Sequence, residues 1–477
     1  MIKKTLLASL ILSSLLSFSQ EIVSSISLEL KKSDNVFQTI NKDKKEITLF
    51  ISDKVKVKAI QLDDKMKIVD SISSERPNAK IYPRMIGYTY NNNNTRLFWS
   101  SNDYKEIFTE LYDFNARKTL TKQHSLALKE EKFIQKFNDQ DFFYILTVAK
   151  KNSDLKLYIF DKEGDYTVKK INLSSTTFYK TDSTPSNLYD ALAESLLPLE
   201  LSFSVQNINT DNPTSLTDSA KKRKCYFKNH QIIITLDTNV EFTHVIKVDL
   251  QDFTATEKKI KTTEIDKDRM YVNSNSFYFE NKLYQLKSSS DLFYLTIKDL
   301  DGNIIKEHAA KASESIDFKN SEIQLEGGDF GGNRTLKNSS QFIRKVNNLY
   351  PGISCYTIDQ NTLITYGGVS EAQQSGSQFA MSQFGLIGAL VSIAIYNPAV
   401  ESFNSYSNRK VVKTEGIFDQ DGNHVKGDLQ PLAFDQIRAF FEKNSDVSSQ
   451  TLFKSDAYYL GYYYNKTKEY SFRKFTD

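Results

Sequence analysis

The stretch RMYVNSNSFYFENKLYQLKSSSDLFYLTIKDLDGNIIKEH, residues 269–308, decides the fold. Short runs of Phe, Tyr, Leu and Ile are cut by Asn, Ser, Asp and Gly, which is the pattern of strands joined by tight turns. It reads as four strands: one before Asn273, then Ser276 to Leu286, Phe293 to Lys298 and Asn303 to His308. Asp299 closes the third strand and opens a turn into the fourth. Aspartate suits that position because its carboxylate bonds its own backbone, and a following glycine accepts positive φ.

The same pattern recurs along the chain. An apolar strand ending in Asp and a turn appear in VKAIQLDDKMKIV, FTELYDFNARKTL, LKLYIFDKEGDYTV, THVIKVDLQDFTAT and VKTEGIFDQDGNHV. The anchors Asp63, Asp113, Asp161, Asp249, Asp299 and Asp419 fall 50, 48, 88, 50 and 120 residues apart. A period near 49 with four strands per unit is a repeat of small sheets. These units resemble the blades of a β-propeller of the broad secreted kind, through the residues Asn281, Leu283, Tyr284 and Asp299 to Asn303 of the best copy. Neither a Trp-Asp nor a kelch double-glycine signature is present, and the only tryptophan is Trp99. The resemblance implies an all-β fold and little about activity, since propellers host enzymes, platforms and scaffolds alike.

Units fall at 35–70, 85–125, 130–173, 223–262, 269–308 and 341–427, with a short last unit at 450–477. The run IVSSISLEL, Ile22 to Leu30, belongs to no unit and is expected to complete the last one, which removes an open edge. The expectation is a seven-bladed β-propeller with short helical insertions, six or eight blades being the alternatives.

The leader MIKKTLLASLILSSLLSFSQ has basic Lys3 and Lys4, an apolar run from Leu6 to Leu16, and small Ser17 and Ser19. It reads as a signal peptide over 1–19, leaving 20–477 as the propeller domain. The expected location is therefore outside the cytoplasm: periplasm, outer membrane or medium. The 477 residues carry 62 basic and 59 acidic side chains, so a net charge of +3 provides no global field for nucleic acid. The basic run KKRK, Lys221 to Lys224, is expected to be a solvated loop. Cys225 and Cys355 sit in apolar strand-like runs, and buried free thiols are expected over a bridge.

Three insertions interrupt the repeat: 174–222, 309–340 and 369–408. The first holds a short helix over Ser183 to Pro198, with Leu188, Leu192 and Leu196 on one face, expected to cap the ring. The second holds EGGDFGGNR, Glu326 to Arg334, expected to be a mobile loop between blades. The third holds the uncharged stretch QFGLIGALVSIAIYNPAV, 383–400. Its 13-residue core is about 20 Å as a helix, too short to cross a bilayer core of about 30 Å. It is apolar all round, so it needs a covering surface. The candidate interaction residues are Phe379, Phe384, Leu386, Ile387, Leu390, Val391, Ile393, Ile395 and Tyr396. Three surfaces could cover them: the mouth of the ring, a protein partner, or one leaflet of a membrane. A further helix is expected over Pro431 to Asn444.

Catalytic signatures are absent from the sequence. His124, His230, His244, His308 and His424 lie far apart, with no metal-binding spacing, and no GxSxG elbow occurs. The DLDGN and DQDGN turns lack the remaining acids of a calcium loop. No cofactor and no metal are expected. The tyrosines of YYLGYYY, Tyr458 to Tyr464, are expected to alternate between core and surface. The resulting expectation is a non-enzymatic exported binding or scaffold protein of the bacterial envelope with a protein partner. The alternative is a carbohydrate-binding or carbohydrate-active propeller with its site at the axis.

Overall fold

The computed structural model describes residues 21–477 except 32–33, 42–45, 92–93, 140, 197–199, 267–270, 328–332, 371–409 and 445. The leader and all nine candidate interaction residues lie outside the described residues.

Among the described residues the strands form seven sheets of four or more strands, antiparallel but for one short parallel pair, and one two-stranded ladder. In chain order the seven span 35–75, 84–125, 131–171, 223–261, 273–311, 350–418 and 447–475; they are numbered sheets 1 to 7 here. Within sheets 1, 2, 3 and 5 the strands follow one another by hairpins in simple order. Exposure grows along this order. The fourth strands Ile68–Glu75, Lys118–Ser125 and Ile304–Lys311 alternate between exposed and half-buried positions, whereas the second strands are buried nearly throughout.

The apolar side chains show how the sheets are arranged. One buried cluster joins sheets 1 and 2 through Phe37, Phe50, Trp99 and Tyr112. Others join sheets 2 and 3, sheets 3 and 4, and sheets 4, 5 and 6. A further cluster joins sheet 7 back to sheet 1 through Ile26, Leu49, Tyr463 and Phe472. Sheets 1 to 6 thus pack each on the next, polar contacts of Tyr356 join sheet 6 to sheet 7, and sheet 7 packs on sheet 1, which is a β-propeller. The first strands of sheets 2 and 3, of sheets 5 and 6, and of sheets 7 and 1 touch, which places the first strands at the axis.

Closure is made by the strand Glu21–Ser27, which pairs antiparallel with Glu469–Phe475 as the outermost strand of sheet 7. The expected completion of the last unit is observed. Each repeat anchor also stands where the sequence placed it, at the turn from third to fourth strand. Asp299 Oδ1 accepts from the backbone N–H groups of Asp301 and Asn303, both at 2.9 Å. Asp419 Oδ1 accepts from Asp421 at 3.0 Å and Asn423 at 2.8 Å, and Asp161 Oδ1 from Asp165 at 2.9 Å. Gly164, Gly302 and Gly422 take positive φ three residues after their anchors. In sheet 1 Met66 adopts that conformation at the same offset, with φ 59°.

Several expectations are corrected. In the unit that decided the fold, Ser276 to Leu286 is two strands, Asn273–Phe279 and Lys282–Ser288. The turn between them is Glu280-Asn281, with φ of 47° and 59°, a two-residue hairpin built without glycine. The stretch around EGGDFGGNR is flanked by a hairpin, Ile323–Glu326 with Asn333–Leu336. Ile323–Glu326 pairs with Val411–Phe418 and occupies the fourth-strand place of sheet 6. The strand expected there, after Asp419, is reduced to His424–Val425. The first inserted helix covers only Leu188–Ala193, because Pro185–Ser186 pairs with Phe178–Tyr179 and Asn187 caps the helix by accepting from Asp190 N at 2.8 Å. Leu196 lies past its end, in an isolated bridge to Glu200.

YYLGYYY does not alternate between core and surface. Tyr459 and Tyr463 join the cluster shared with sheet 1, while Tyr458, Leu460 and Tyr462 pack on the helix Ala433–Lys443. Both faces of the strand are covered, so both sets of rings are core. Cys225 and Cys355 are free and buried in different clusters.

Ring closure yields a direct test. Ile26 is buried in the cluster that joins sheets 7 and 1. Ile26→Asp, which buries a carboxylate in that cluster, is expected to destabilise by about 3 kcal/mol or more, read as a lowered urea midpoint. The exposed Ile22→Asp on the same strand should change the midpoint by less than about 0.5 kcal/mol.

Candidate functional site

The first-to-second-strand hairpins and the third-to-fourth-strand turns share one end of the ring, because strands run antiparallel. At that end a recess of about 580 Å³ is lined by Thr210, Asp211, Lys228, Tyr356, Lys454 and Asp456. Lys228 ends the first strand of sheet 4, Tyr356 lies near the end of that of sheet 6, and Lys454 ends that of sheet 7. First strands of sheets that are not neighbours meet only at the axis, so the recess is axial. An adjoining cleft of about 430 Å³ shares Thr210 and Lys228 and runs between sheets 4 and 5, past Lys247, Tyr278 and Glu280.

The floor comes from the first insertion. Residues Gln206–Ile208 form a short strand parallel to Arg223–Lys228, on its axial side. Gln135 Nε2 of the neighbouring sheet 3 donates to Val205 O at 3.0 Å, so this strand is tied to the adjacent sheet as well. The insertion therefore fills the ring from within, where a cap over it was expected. Beyond the strand, Lys454 Nζ donates to Asp211 O at 3.1 Å, and Lys228 pairs with the Asp211 carboxylate at 3.3 Å.

Lys454 is the most constrained cation of the recess. Its ammonium lies 5.1 Å from the centre of the Tyr356 ring and 4.9 Å from that of Tyr458, and donates to Tyr356 Oη at 2.9 Å. Burial lowers its pKa, against the opposing pull of Asp477 and Asp211. Tyr356 in turn donates to the Asp477 carboxylate. These polar contacts join sheets 6 and 7, the seam for which no shared apolar cluster occurs among the described residues. Tyr356 and Tyr458 are themselves buried, so neither offers an open ring face to a sugar.

The run KKRK is not a solvated loop. Arg223 and Lys224 are fully buried at the start of the first strand of sheet 4. Lys224 Nζ reaches Asp237 Oδ2 at 2.9 Å and Asn275 Oδ1 at 2.7 Å, and Asp237 accepts further from Ser276 Oγ at 2.9 Å and Thr243 Oγ1 at 2.7 Å. Burial alone would raise the Asp237 carboxyl, but the Lys224 ammonium and these hydrogen bonds hold it below the usual range. Arg223 donates to Ala191 O at 3.1 Å and Glu194 O at 2.6 Å, capping the carbonyl end of the helix Leu188–Ala193. Lys222 donates to Ser274 O and to Asn273 Oδ1 at 3.2 Å, and burial pushes its ammonium down to about 8. The basic run is thus an internal clamp that ties the insertion and sheet 5 to sheet 4. The missed signal was its position directly before the apolar CYF, which makes it the opening of a central strand.

Among the described residues no group of three or more His, Cys, Asp or Glu is placed to hold a metal, and no helix is long and apolar enough to cross a membrane.

Effects of very different size are expected for two lysines of one strand, Lys224, which is buried, and Lys228, which is at the rim. Lys224→Met strands the Asp237 charge and should cost about 3–5 kcal/mol, with much of that recovered in Lys224→Met/Asp237→Leu. Lys228→Met at the rim should cost less than about 1 kcal/mol. Because the Asp237 pKa is depressed on folding, its contribution is present above the ordinary value of about 3.9 and lost as pH falls below it. Urea midpoints measured from pH 7 to pH 3 check all three, and the double variant should show a shallower fall at the acid end.

No protein-family description matches this chain, and no curated protein sequence matches it. Among solved structures it is similar to the Dos1 propeller, at 7% identity over 95% of each chain with a TM-score of 0.32. It is also similar to a chimera of apocarotenoid oxygenase and RPE65, at 10% identity over 63% of this chain and 64% of that one, TM-score 0.28. Cobalt-substituted Synechocystis apocarotenoid oxygenase gives 8% identity over 60% and 62%, TM-score 0.28. The chain spans less than two thirds of the length of these last two. At such scores the likenesses say nothing of activity, and the fold rests on the order of its own sheets.

Proposed function

We propose that the chain is a non-enzymatic, exported binding or scaffold protein of the bacterial cell envelope, and that residues 379–396 dock on a protein partner. The observation that carries this reading is how the excursion 371–409 joins the ring. Ser370 N donates to Lys410 O at 2.8 Å, and Lys410 N to Ser370 Oγ at 3.0 Å. The ladder of Asn361–Val369 with Val411–Phe418 is complete up to the Val369–Val411 pair. Sheet 6 is thus complete up to the two residues that flank 371–409. The excursion emerges from a second-to-third-strand turn, at the end of the ring opposite the axial recess. Its uncharged run, with Phe384, Leu386, Ile387, Leu390, Val391, Ile393, Ile395 and Tyr396, wants an apolar counterpart of matching length. Export rests on the leader sequence.

A second reading, carbohydrate at the axis, draws on the polar recess with Asp211, Glu280 and Asp456. The burial of Tyr356 and Tyr458 weighs against it, since stacking on sugars needs an open ring face.

The test replaces 371–409 by Asn-Gly, a two-residue turn suited to a hairpin. The variant is expected to fold with a Tm within a few degrees of the parent. It should also lose one specific protein that the intact chain captures and crosslinks in envelope extract. Retained capture would overturn the reading, and so would failure of the variant to fold, which would place the segment in the core.

A further inference from the structure

The fourth strand of one sheet repeatedly catches the aspartate turn of the next. His124 Nε2 of sheet 2 donates to Gly164 O of sheet 3 at 2.7 Å, and Lys258 of sheet 4 pairs with Asp301 of sheet 5. His308 Nε2 of sheet 5 donates to Gly422 O of sheet 6 at 2.8 Å. Only at this last joint does a second histidine meet the same aromatic ring. His308 lies 5.2 Å from Phe418 and 5.2 Å from Phe318, and His424 lies 5.7 Å from Phe418.

The hydrogen bonds settle which protons these rings carry. Asn320 Oδ1 accepts from Ile417 N at 2.7 Å, while its Nδ2 donates to Val425 O at 2.8 Å and Gly427 O at 2.9 Å. The amide orientation is therefore fixed, and His424 Nε2 must donate to Oδ1, at 2.9 Å. Each histidine thus has its one neutral-state proton in use on Nε2. Asn320 is the hub that holds the connection between sheets 5 and 6 against the truncated end of sheet 6. Its own N–H donates to Glu415 O at 2.7 Å.

We infer that the joint between sheets 5 and 6 is an acid-sensitive joint of the ring, closed while His308 and His424 are neutral and loosened when both are protonated. A second proton on each ring would place two cations around Phe418. Lys306 on the same strand as His308, and Lys426 beside His424, repel them, and each histidine would repel the other. Asp317 on the connecting segment attracts both. Asp419 lies in the turn itself, with its carboxylate engaged by Asn423, Asp421 and the Lys306 field, and Lys306 Nζ donates to Asn423 Oδ1 at 2.8 Å. Burial depresses both histidine pKa values, so the proton is bound more weakly in the folded chain. The closed joint is then fully favoured above the ordinary histidine value of about 6.5, and that advantage is lost as pH falls through the depressed values. The expected fold-level consequence is local: sheet 6, which bears the excursion, loses its hold on sheet 5 before the other seams respond.

Hydrogen exchange and urea unfolding of the full chain at pH 7.5 and pH 5.0 test this, with His308→Gln/His424→Gln as the variant that keeps side-chain donors but cannot titrate. In the parent, exchange over 316–326 and 411–427, corrected for intrinsic rates, should accelerate at least tenfold at pH 5.0. The urea midpoint should fall as well. The double variant should show neither change, while His124→Gln, at the joint of sheets 2 and 3, should keep both. An unchanged acid response in the double variant, or acceleration spread evenly over all seven sheets, overturns the inference. If the double variant does not fold, the parent's histidine resonances decide: midpoints for His308 and His424 below about 6.5 support the joint, and midpoints at or above it overturn it.

Discussion

A ring of sheets depends on finishing its last member. Six of the seven seams here share buried apolar side chains, so none of those can be left open without exposing apolar surface. Pairing of Glu21–Ser27 with Glu469–Phe475 joins the two ends of the described chain within one sheet. Without it Glu469–Phe475 would be a bare edge, a template for another chain, and Ile26 would leave the cluster between sheets 7 and 1. The contact spans nearly the whole sequence, so its loop closure is the slowest entropy loss to recover during folding.

The buried cations of sheet 4 solve a related problem. Gln206–Ile208 adds a parallel strand inside the ring, and a parallel pair has no hairpin turn to set its register. Lys222, Arg223 and Lys224 sit at the start of the strand it pairs with, and their bonds reach the insertion and sheet 5. A buried ion pair such as Lys224 with Asp237 brings little net stability, because desolvation offsets most of the attraction. What it provides is geometry: an apolar packing would tolerate a shifted strand, whereas a lysine with Asp237 and Asn275 as fixed partners would not.

The fold was legible because its repeat is written in turn chemistry. Asp63, Asp161, Asp299 and Asp419 recur where a carboxylate must accept from the backbone of a tight turn, and that demand is local. Closure by the N-terminal strand was legible too, since an unassigned strand and a short last unit imply each other. Features set by tertiary partners were not. KKRK looks solvated in one dimension and is buried because the insertion folds back over it. YYLGYYY looks half-exposed and is core because the helix Ala433–Lys443 covers its second face. Glu280-Asn281 was passed over as a turn because neither residue is glycine. The axial recess left no sequence mark, since Asp211, Lys228, Tyr356 and Lys454 come from four distant segments.

Differences between copies point to where a repeat protein has specialised. Sheets 1 to 5 take the fourth strand from the hairpin after the third, sheet 7 takes its own from Glu21–Ser27, and sheet 6 takes its own from upstream, through Ile323–Glu326. That choice leaves the lower part of Val411–Phe418 to the two-residue strand His424–Val425, and Asn320 must satisfy the backbone between them. Sheet 6 is thus held at its outer edge by two short ladders, over Val411–Lys413 and Ile417–Phe418, with a break between them. It therefore relies more on side-chain contacts across its seams, on the apolar side through Phe318 and Phe418 and on the other through Tyr356 and Lys454. The excursion 371–409 is attached to this same sheet. The sheet whose outer edge is paired in two pieces is thus also the one interrupted by residues 371–409, so the ladder of Asn361–Val369 with Val411–Phe418 must hold the two sides of that interruption together.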